Sequence, residues 1–417
     1  VFDRPQDTFV TFAQSNLLND VGFPIPMLQA VFVEDAGTTE YHFAVPSSVP
    51  VGEARALAMA DFNADGYQDI AFHWGSTESS GSGTMIGTAE NLSNVDGGLR
   101  FGPQRTAGPA FLDMATGDVD GDGHPELVGL YHTATELRVV IRSVDPTTLA
   151  VGDPAGNDFR VADWKAGDRV ELAVGKFDQN PQDSEIVVVQ APLGDCDPTF
   201  CHAYVRPFDI TPSSSGGYAI ATIPAVDIGH SLAGTTNLTW KYFTGLSTAS
   251  GHLDWFDGDE RDQLVIAAGL YAGLALPPFN GYSVLVVDFK PGLVVDPAQV
   301  AASARTNYND PRCVADVAVG RFDPPSTDPA GEVPANAQVA LLLQQTASGF
   351  TPFDCGKDVY GQVAYSAYGL EFENAAPKTA FKLSTVWTGS YTYYSGASVF
   401  MRARLAAGDF QGRMKTE

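Results

Sequence analysis

The sequence predicts an all-β protein, and three observations support this prediction. Glycine and proline are frequent, at 42 and 27 of 417 residues, so the chain is rich in turns without being a low-complexity sequence. No long stretch places apolar residues at helical spacing, whereas short runs such as residues 137–142 and 282–288 have the character of strands. A sequence motif, here called the phrase, also recurs along the chain, and it consists of an aspartate-rich turn between two apolar runs.

The composition and net charge of the chain argue against two classes of binding partner, nucleic acids and membranes. Hydrophobic residues make up 44% of the chain, which allows a packed core and excludes wholesale disorder. The formal net charge is −26, from 24 Lys+Arg and 50 Asp+Glu, and no run of basic residues interrupts it. Such a surface repels the phosphates of nucleic acids and anionic membranes. No apolar stretch reaches the roughly 18 residues of a membrane helix. We therefore expect neither nucleic acid nor an inserted membrane as partner.

The repeated phrase sets the expected architecture. It is clearest at residues 57–72 and 114–128, and weaker copies lie at 172–189, 251–266, 317–343 and 405–412. Each copy carries a small anchor residue between its first apolar run and its turn, and these anchors are Ala60, Gly117, Gly175, Gly251, Gly320 and Gly408. A period near 60 residues is too long for a two-helix repeat. It suits a four-stranded blade of a β-propeller with long loops.

This phrase resembles the FG-GAP family, the integrin-α-like and related VCBS propeller repeats. The resemblance implies a β-propeller, most often seven-bladed, with calcium held in the loop between two strands of a blade. We predict one propeller domain over residues 1–417, with seven four-stranded blades preferred and six as the alternative. The last repeat is cut off near the C-terminus. It is either truncated or closes the ring by pairing with N-terminal strands such as residues 8–12.

Two turns carry the residue types that calcium prefers. Calcium takes six to eight oxygen ligands, and a short loop offers them at positions 1, 3, 5 and 9, with a backbone carbonyl at position 7. The expected ligands of the first loop are Asp61, Asn63, Asp65, the carbonyl of Tyr67, and Asp69. Those of the second loop are Asp118, Asp120, Asp122, the carbonyl of His124, and Glu126. We expect two structural calcium ions, and the alternative is a pair of solvated acidic turns without metal.

The other loops fit a cation less well. The third has Lys176 in place of the first aspartate, and its ammonium group can substitute for an ion. The fourth keeps Asp257 and Asp259 but has Trp255 at the first position, so it is a weaker candidate. The fifth begins with Arg321 and is expected to hold no metal.

The chain contains four cysteines and no Cys-x-x-Cys pair, which favours two disulfides and an oxidising compartment. We expect Cys196 to pair with Cys201 across a short turn and Cys313 with Cys355 across a long loop. The alternative is four unpaired or buried thiols. The predicted location is therefore secreted, extracellular or at the cell surface.

The predicted function is recognition or adhesion toward a glycan or protein ligand. Aromatic residues in predicted loops, such as Trp74 and Tyr391, are candidates for stacking on sugar rings, although packing between blades is the favoured alternative. A nucleophile-elbow-like segment at residues 229–234 lacks the expected strand–turn–helix context, and no other catalytic set occurs, so no enzyme is expected. The alternative is a non-catalytic scaffold domain of a larger surface enzyme or toxin, or a hydrolase with an unrecognised site.

Overall fold

The structure is a computed structural model. Its described residues are 8–18, 24–34, 37–45, 53–75, 84–92, 98–153, 157–178, 180, 183–196, 201–213, 217–233, 242–253, 261–272, 279–295, 312–320, 338–345, 363–372, 381–391 and 404–408.

These residues form an all-β protein, as predicted, with antiparallel pairing in every sheet. Sheet 1 contains β27 (Arg404–Gly408), β1 (Thr8–Leu18), β2 (Pro24–Glu34) and β3 (Gly37–Ala44). Sheet 2 contains β4 (Glu53–Ala60), β5 (Asp69–Gly75), β6 (Thr84–Leu92), β7 (Gly98–Phe101) and the short β8 (Arg105–Thr106). Sheet 3 contains β9 (Phe111–Gly117), β10 (Glu126–His132), β11 (Glu136–Arg142) and β12 (Asp158–Asp163).

The second half of the chain repeats this arrangement. Sheet 4 contains β13 (Arg169–Gly175), β14 (Glu185–Ala191), β15 (Tyr204–Pro212), β16 (Tyr218–Thr222) and β17 (Val226–Asp227). A short helix, α1 (Gly229–Ala233), follows it. Sheet 5 contains β18 (Tyr242–Gly251), β19 (Gln263–Ala272) and β20 (Phe279–Val287), after which β21 (Phe289–Lys290) and β22 (Val294–Val295) form a small hairpin. Sheet 6 contains β23 (Arg312–Gly320), β24 (Gln338–Gln345), β25 (Val363–Phe372) and β26 (Phe381–Tyr391).

The repeated phrase is the hairpin formed by the first two strands of a sheet. In sheet 2 the anchor Ala60 pairs with Asp69, and in sheet 3 Gly117 pairs with Glu126. The same register recurs in the later sheets as Gly175 with Glu185, Gly251 with Gln263 and Gly320 with Gln338. The second strand of this hairpin is buried at every position in sheets 2 and 4, where it is β5 and β14. A strand buried on both faces is apolar almost throughout, which explains the aliphatic run that ends each phrase.

The first strands of the sheets contact one another in cyclic order. β27 contacts β4, and contacts then run from β4 to β9, β13, β18 and β23, which in turn contacts β27. The closing element is supplied by the two ends of the chain, because β27 pairs with β1 from Thr8↔Gly408 to Phe12↔Arg404. The hydrophobic clusters lie between consecutive sheets. Among the described residues, these clusters bury the facing surfaces of sheets 1 and 2, 2 and 3, 3 and 4, and 4 and 5.

Trp74 belongs to one of these clusters and not to a loop. It lies in β5 and is 1% exposed, with its ring stacked on that of Phe72 at a centroid distance of 5.2 Å. The interpretation of Trp74 as a sugar-stacking residue is therefore wrong, since its faces are used for packing. The side chain of Tyr391 lies outside the described residues.

One predicted disulfide is present. Cys196 and Cys201 are bonded, with their Cα atoms 3.9 Å apart. Cys355 lies outside the described residues, so its pairing with Cys313 stays a prediction. In the part of the chain that the structure describes, no helix is long and apolar enough to cross a membrane.

The anchor glycines allow neighbouring sheets to approach closely. A Cβ atom on Gly117 would lie 2.5 Å from a methyl carbon of Val174, which belongs to the next sheet. A Cβ atom on Gly251 would meet Val319 of sheet 6 at the same distance. The glycine of the phrase is thus required by contact between adjacent first strands.

We predict that Gly117→Ala destabilises the protein by about 1–3 kcal/mol, because the added methyl group overpacks the contact with Val174. The matched control is Ala60→Gly, which removes a methyl group at the equivalent anchor and costs about 0.5–1 kcal/mol through backbone entropy. Urea unfolding of both variants measures the two costs. Equal stability of Gly117→Ala and the parent chain would show that sheets 3 and 4 do not approach as described.

Candidate functional site

The first acidic loop connects β4 to β5 and is organised by its own backbone. Asp61 accepts hydrogen bonds from the backbone N–H groups of Asp65 (3.0 Å) and Gly66 (2.8 Å). Asn63 accepts a further bond from the N–H of Asp65 at 3.1 Å, and Asp65 accepts one from Tyr67 at 2.9 Å. Gly66 has a φ of 87°, a left-handed conformation that glycine adopts at little cost. The chain therefore wraps around its own side-chain oxygens.

The second loop, between β9 and β10, repeats this pattern. Asp118 accepts from the N–H groups of Asp122 at 3.1 Å and Gly123 at 2.8 Å. Asp120 accepts from Asp122 at 3.1 Å, and Asp122 accepts from His124 at 2.8 Å. Gly123 has a φ of 88°. Two loops with different sequences thus share one backbone conformation.

The ninth residue of each loop is a buried carboxylic acid. Asp69 is 0% exposed and accepts hydrogen bonds from the N–H groups of Phe62 and Asn91. Glu126 is 4% exposed and accepts one from Val119 at 3.0 Å. Burial, together with the charges of the neighbouring loop aspartates, raises the pKa of Asp69 to about 7 and that of Glu126 to about 8. A cation in either loop would favour the ionised form and lower the pKa again.

The second loop brings its oxygens closest together. Carboxylate oxygens of Asp118, Asp120 and Glu126 all lie within 4.8 Å of one another. The side chain of Tyr218, from β16 of the next sheet, hydrogen-bonds to Asp120. The fifth-position Asp122 is exposed and lies outside this group of three. Oxygen donors at this density are the set that a hard divalent cation prefers.

The third loop has the same hairpin but a different charge. Lys176 occupies its first position, and Glu185, its last residue, accepts from the N–H groups of Phe177 (2.7 Å) and Asp178 (3.2 Å). Among the described residues, no group of three metal-ligating side chains forms in this loop. The weaker candidates of the fourth loop, Asp257 and Asp259, lie outside the described residues.

A second polar cluster lies where the first strands meet. Arg404 of β27 is 3% exposed, and its guanidinium donates hydrogen bonds to two backbone carbonyls of other sheets. Its Nε atom bonds the carbonyl of Arg55 at 2.6 Å, and Nη2 bonds that of Leu112 at 3.1 Å. One side chain from the last strand thereby joins sheets 2 and 3.

Three carboxylic acids surround the same guanidinium. The Nη1 atom of Arg404 lies 3.4 Å from Glu171 and 3.9 Å from both Asp113 and Asp316. Burial, and next the charge of Asp113, raises the pKa of Glu171 well above its ordinary value. Burial alone would lower the pKa of Arg404, but the three carboxylates outweigh it and raise that pKa. The centre therefore places a buried guanidinium among three carboxyl groups, of which Glu171 is shifted toward its protonated form.

Sequence reasoning missed this central cluster, although the signal was present. The position four residues before each anchor reads Ala56, Asp113, Glu171, Ser247, Asp316 and Arg404. All six residues are buried, and Ser247 donates a hydrogen bond to Asp316 at 2.5 Å. Aligning the repeats on their anchors and comparing the preceding column would have found a polar position inside an apolar strand.

The nucleophile-elbow-like segment forms the short helix α1, where a loop was expected. Its Ser231 is half-buried. The segment packs through Leu232, which is fully buried. Its role in the described residues is therefore packing.

No family model matches the chain, and no curated protein matches it, so the FG-GAP resemblance stays a prediction. Among solved structures, the chain is similar to a GH43 β-1,3-galactosidase in complex with galactodeoxynojirimycin. The two are 14% identical with a TM-score of 0.31, and the match covers 68% of this chain and 92% of the galactosidase chain. The matched protein is an enzyme, which contradicts the prediction that this chain is not one. At this TM-score, no residue role and no substrate carries over from the galactosidase.

Proposed function

We propose that the chain is a six-bladed β-propeller, in place of the preferred seven blades. The cyclic contacts of β27, β4, β9, β13, β18 and β23 support this proposal, since each of these strands begins one sheet. The pairing of β27 with β1 makes a mixed blade from the two ends of the chain. Such a pairing joins the ends of the ring by hydrogen bonds.

We further propose that the first and second loops each bind one calcium ion. The observation that carries this proposal is the repetition of one backbone arrangement around oxygen-bearing side chains, closed in each loop by a buried acid. The ligands are those expected from the sequence, and the oxygens of Asp118, Asp120 and Glu126 already converge. Bound calcium would compensate the burial of Asp69 and Glu126 and hold the two strands of each hairpin together.

At the level of the whole molecule, we propose a calcium-stabilised propeller that binds a glycan or protein ligand outside the cell. It acts alone or as the binding domain of a longer surface enzyme or toxin. The Cys196–Cys201 disulfide supports an oxidising compartment. Millimolar extracellular calcium suits loops of this weak-binding kind, whose dissociation constants are on the order of 10⁻⁴–10⁻³ M.

A second candidate function is hydrolysis at the centre of the ring, and the carboxyl cluster there favours it. Glycoside hydrolysis needs one carboxyl group that holds a proton and a second that is ionised. Glu171 has a raised pKa and hydrogen-bonds to Asp113. Glu171 would then be the general acid, and another carboxyl group of the cluster would be its partner.

Calcium removal tests the first proposal. We predict that EDTA lowers the melting temperature by about 2–4 °C, because two ions at millimolar concentration contribute roughly 1 kcal/mol each. Asp65→Asn and Asp122→Asn should each remove part of this response. Differential scanning calorimetry with and without calcium measures it.

The matched control is Asp178→Asn in the third loop, at the position equivalent to Asn63 and Asp120. Asp178 accepts a backbone hydrogen bond from Asn180, as the loop ligands do, but its loop begins with Lys176. This variant should respond to EDTA as the parent chain does. An unchanged melting temperature of the parent chain in EDTA would mean that the two loops are acidic turns without metal.

A panel of chromogenic glycosides tests the second candidate. If the centre is catalytic, Glu171→Gln should lower the rate on a cleaved glycoside at least about 100-fold, as expected for loss of a general acid. The control is Glu90→Gln, which removes a carboxylate in an ion pair with Arg100, away from the centre. Absence of hydrolysis across the panel, or full activity of Glu171→Gln, would reject catalysis by this cluster.

A further inference from the structure

A cavity of about 650 Å³ lies between the outer edge of sheet 3 and sheet 4. Its wall includes the end of β12, the turn that follows β12, the β14–β15 connection and one face of β15. The side chains that line it are mostly polar, and both the calcium loops and the central cluster lie elsewhere. A cavity of this size accommodates a small ligand such as two or three sugar units.

Two of the three acidic groups of this cavity, Asp163 and Asp168, are already engaged in an ion pair or in several hydrogen bonds. Asp163 forms an ion pair with Arg160 at 2.5 Å. Asp168 accepts hydrogen bonds from the N–H groups of Lys165 (3.1 Å) and Leu193 (2.9 Å), and a third from a side-chain amide. These carboxylates therefore have limited capacity to bind a cationic ligand.

Two cationic side chains of the cavity, Arg206 and Lys165, form no ion pair with the described residues. The Nε atom of Arg206 bonds Gln190 at 3.3 Å and its guanidinium lies 5.3 Å from the ring centroid of Tyr204, but it forms no ion pair with any described residue. The ammonium group of Lys165 is exposed and likewise has no ion pair within the described ranges. Burial lowers the pKa of Arg206, as expected for a half-buried cation without a close counter-ion. Arg206 is thus a half-buried cation without an ion pair, while the third acid of the cavity, Asp195, accepts a hydrogen bond from the hydroxyl of Tyr204 at 3.3 Å.

We propose that this cavity binds a carboxylate-bearing saccharide, with the carboxylate on the Arg206 guanidinium and further attraction from Lys165, which lines the same cavity. A planar guanidinium fork matches a carboxylate in two parallel hydrogen bonds. The carboxylate of Asp195 can accept hydrogen bonds from sugar hydroxyls. The amide of Gln190 is occupied by Asp163, Asp168 and Arg206 and holds the Arg206 side chain in place. A peptide of equal charge is less suited, since it needs apolar pockets for its side chains, and the lining offers mainly Leu193 and Val161. This inference rests on the proposed function and names its ligand class.

Isothermal titration calorimetry of the full chain in calcium tests it. The probes are trigalacturonate, neutral galactotriose, a short glutamate peptide and inorganic sulfate. We expect trigalacturonate to bind at least about tenfold more tightly than the other three.

Arg206→Gln should weaken the binding of trigalacturonate at least about tenfold, and Arg206→Lys should weaken it less because the charge remains. Arg100→Gln, at an exposed ion pair outside the cavity, should bind as the parent chain does. Melting curves in calcium show that each variant is folded.

Several results would overturn the inference. Unchanged trigalacturonate binding by Arg206→Gln would place the ligand elsewhere, and equal binding of galactotriose would remove the role of the carboxylate. Tighter binding of the peptide or of sulfate would assign the site to another ligand. A glycan array separates failure of this cavity as the binding site from failure of the proposed recognition function. Array binding that survives in Arg206→Gln leaves the recognition function standing without this site, whereas no glycan bound by the parent chain rejects glycan recognition too.

Discussion

The two ends of this chain meet in one strand pairing, and a buried arginine is fixed by it. β27 pairs with β1, and this places Arg404 among the first strands of the other sheets. A guanidinium taken out of water loses several kcal/mol of solvation, which only close partners compensate. Arg404 finds them in the carbonyls of Arg55 and Leu112 and in the surrounding carboxylates. The charge of Arg404 cannot be buried stably without these partners, and the carboxylates cannot be buried stably without Arg404.

The same constraint explains why the centre is polar in a fold built from apolar runs. Each first strand carries one buried residue four positions before its anchor. Three of these residues are acids, and their mutual repulsion is relieved by Arg404. Removing one partner of such a set leaves an uncompensated charge, at a cost of about 3–5 kcal/mol. The outer parts of the sheets pack by hydrophobic clusters and have no comparable dependence on a single side chain.

Much of the fold and of the acidic loops could be predicted from the sequence, because both are local. The Asp61–Asp69 loop and its neighbour at Asp118–Glu126 contain their own hydrogen-bond partners, so spacing along the chain determines their shape. The Cys196–Cys201 bridge is local for the same reason. The anchors at Gly117 and Gly251 were visible as a repeat, but their cause is contact with the next sheet. That cause depends on three-dimensional packing, which a spacing pattern does not show.

The features that could not be predicted from the sequence depend on contacts between residues far apart in the chain. We propose six blades in place of seven, because the loops between anchors vary widely in length and a mean period therefore does not determine the number of sheets. Trp74 was placed in a loop because small polar residues follow it, yet it ends a fully buried strand. The cavity residues Lys165, Gln190 and Arg206 belong to three different segments, and no short motif connects them. The central cluster similarly joins residues from position 55 to position 404.

Hydrogen exchange measured by mass spectrometry on the intact chain in calcium tests ring closure most directly. Closure by β27 and β1 predicts that the amides of Arg404–Gly408 exchange as slowly as those of the first strand Phe111–Gly117, because both are hydrogen-bonded within the same ring. Exchange of Arg404–Gly408 at the rate of an unstructured peptide, while Phe111–Gly117 stays protected, would contradict closure and with it the central role of Arg404.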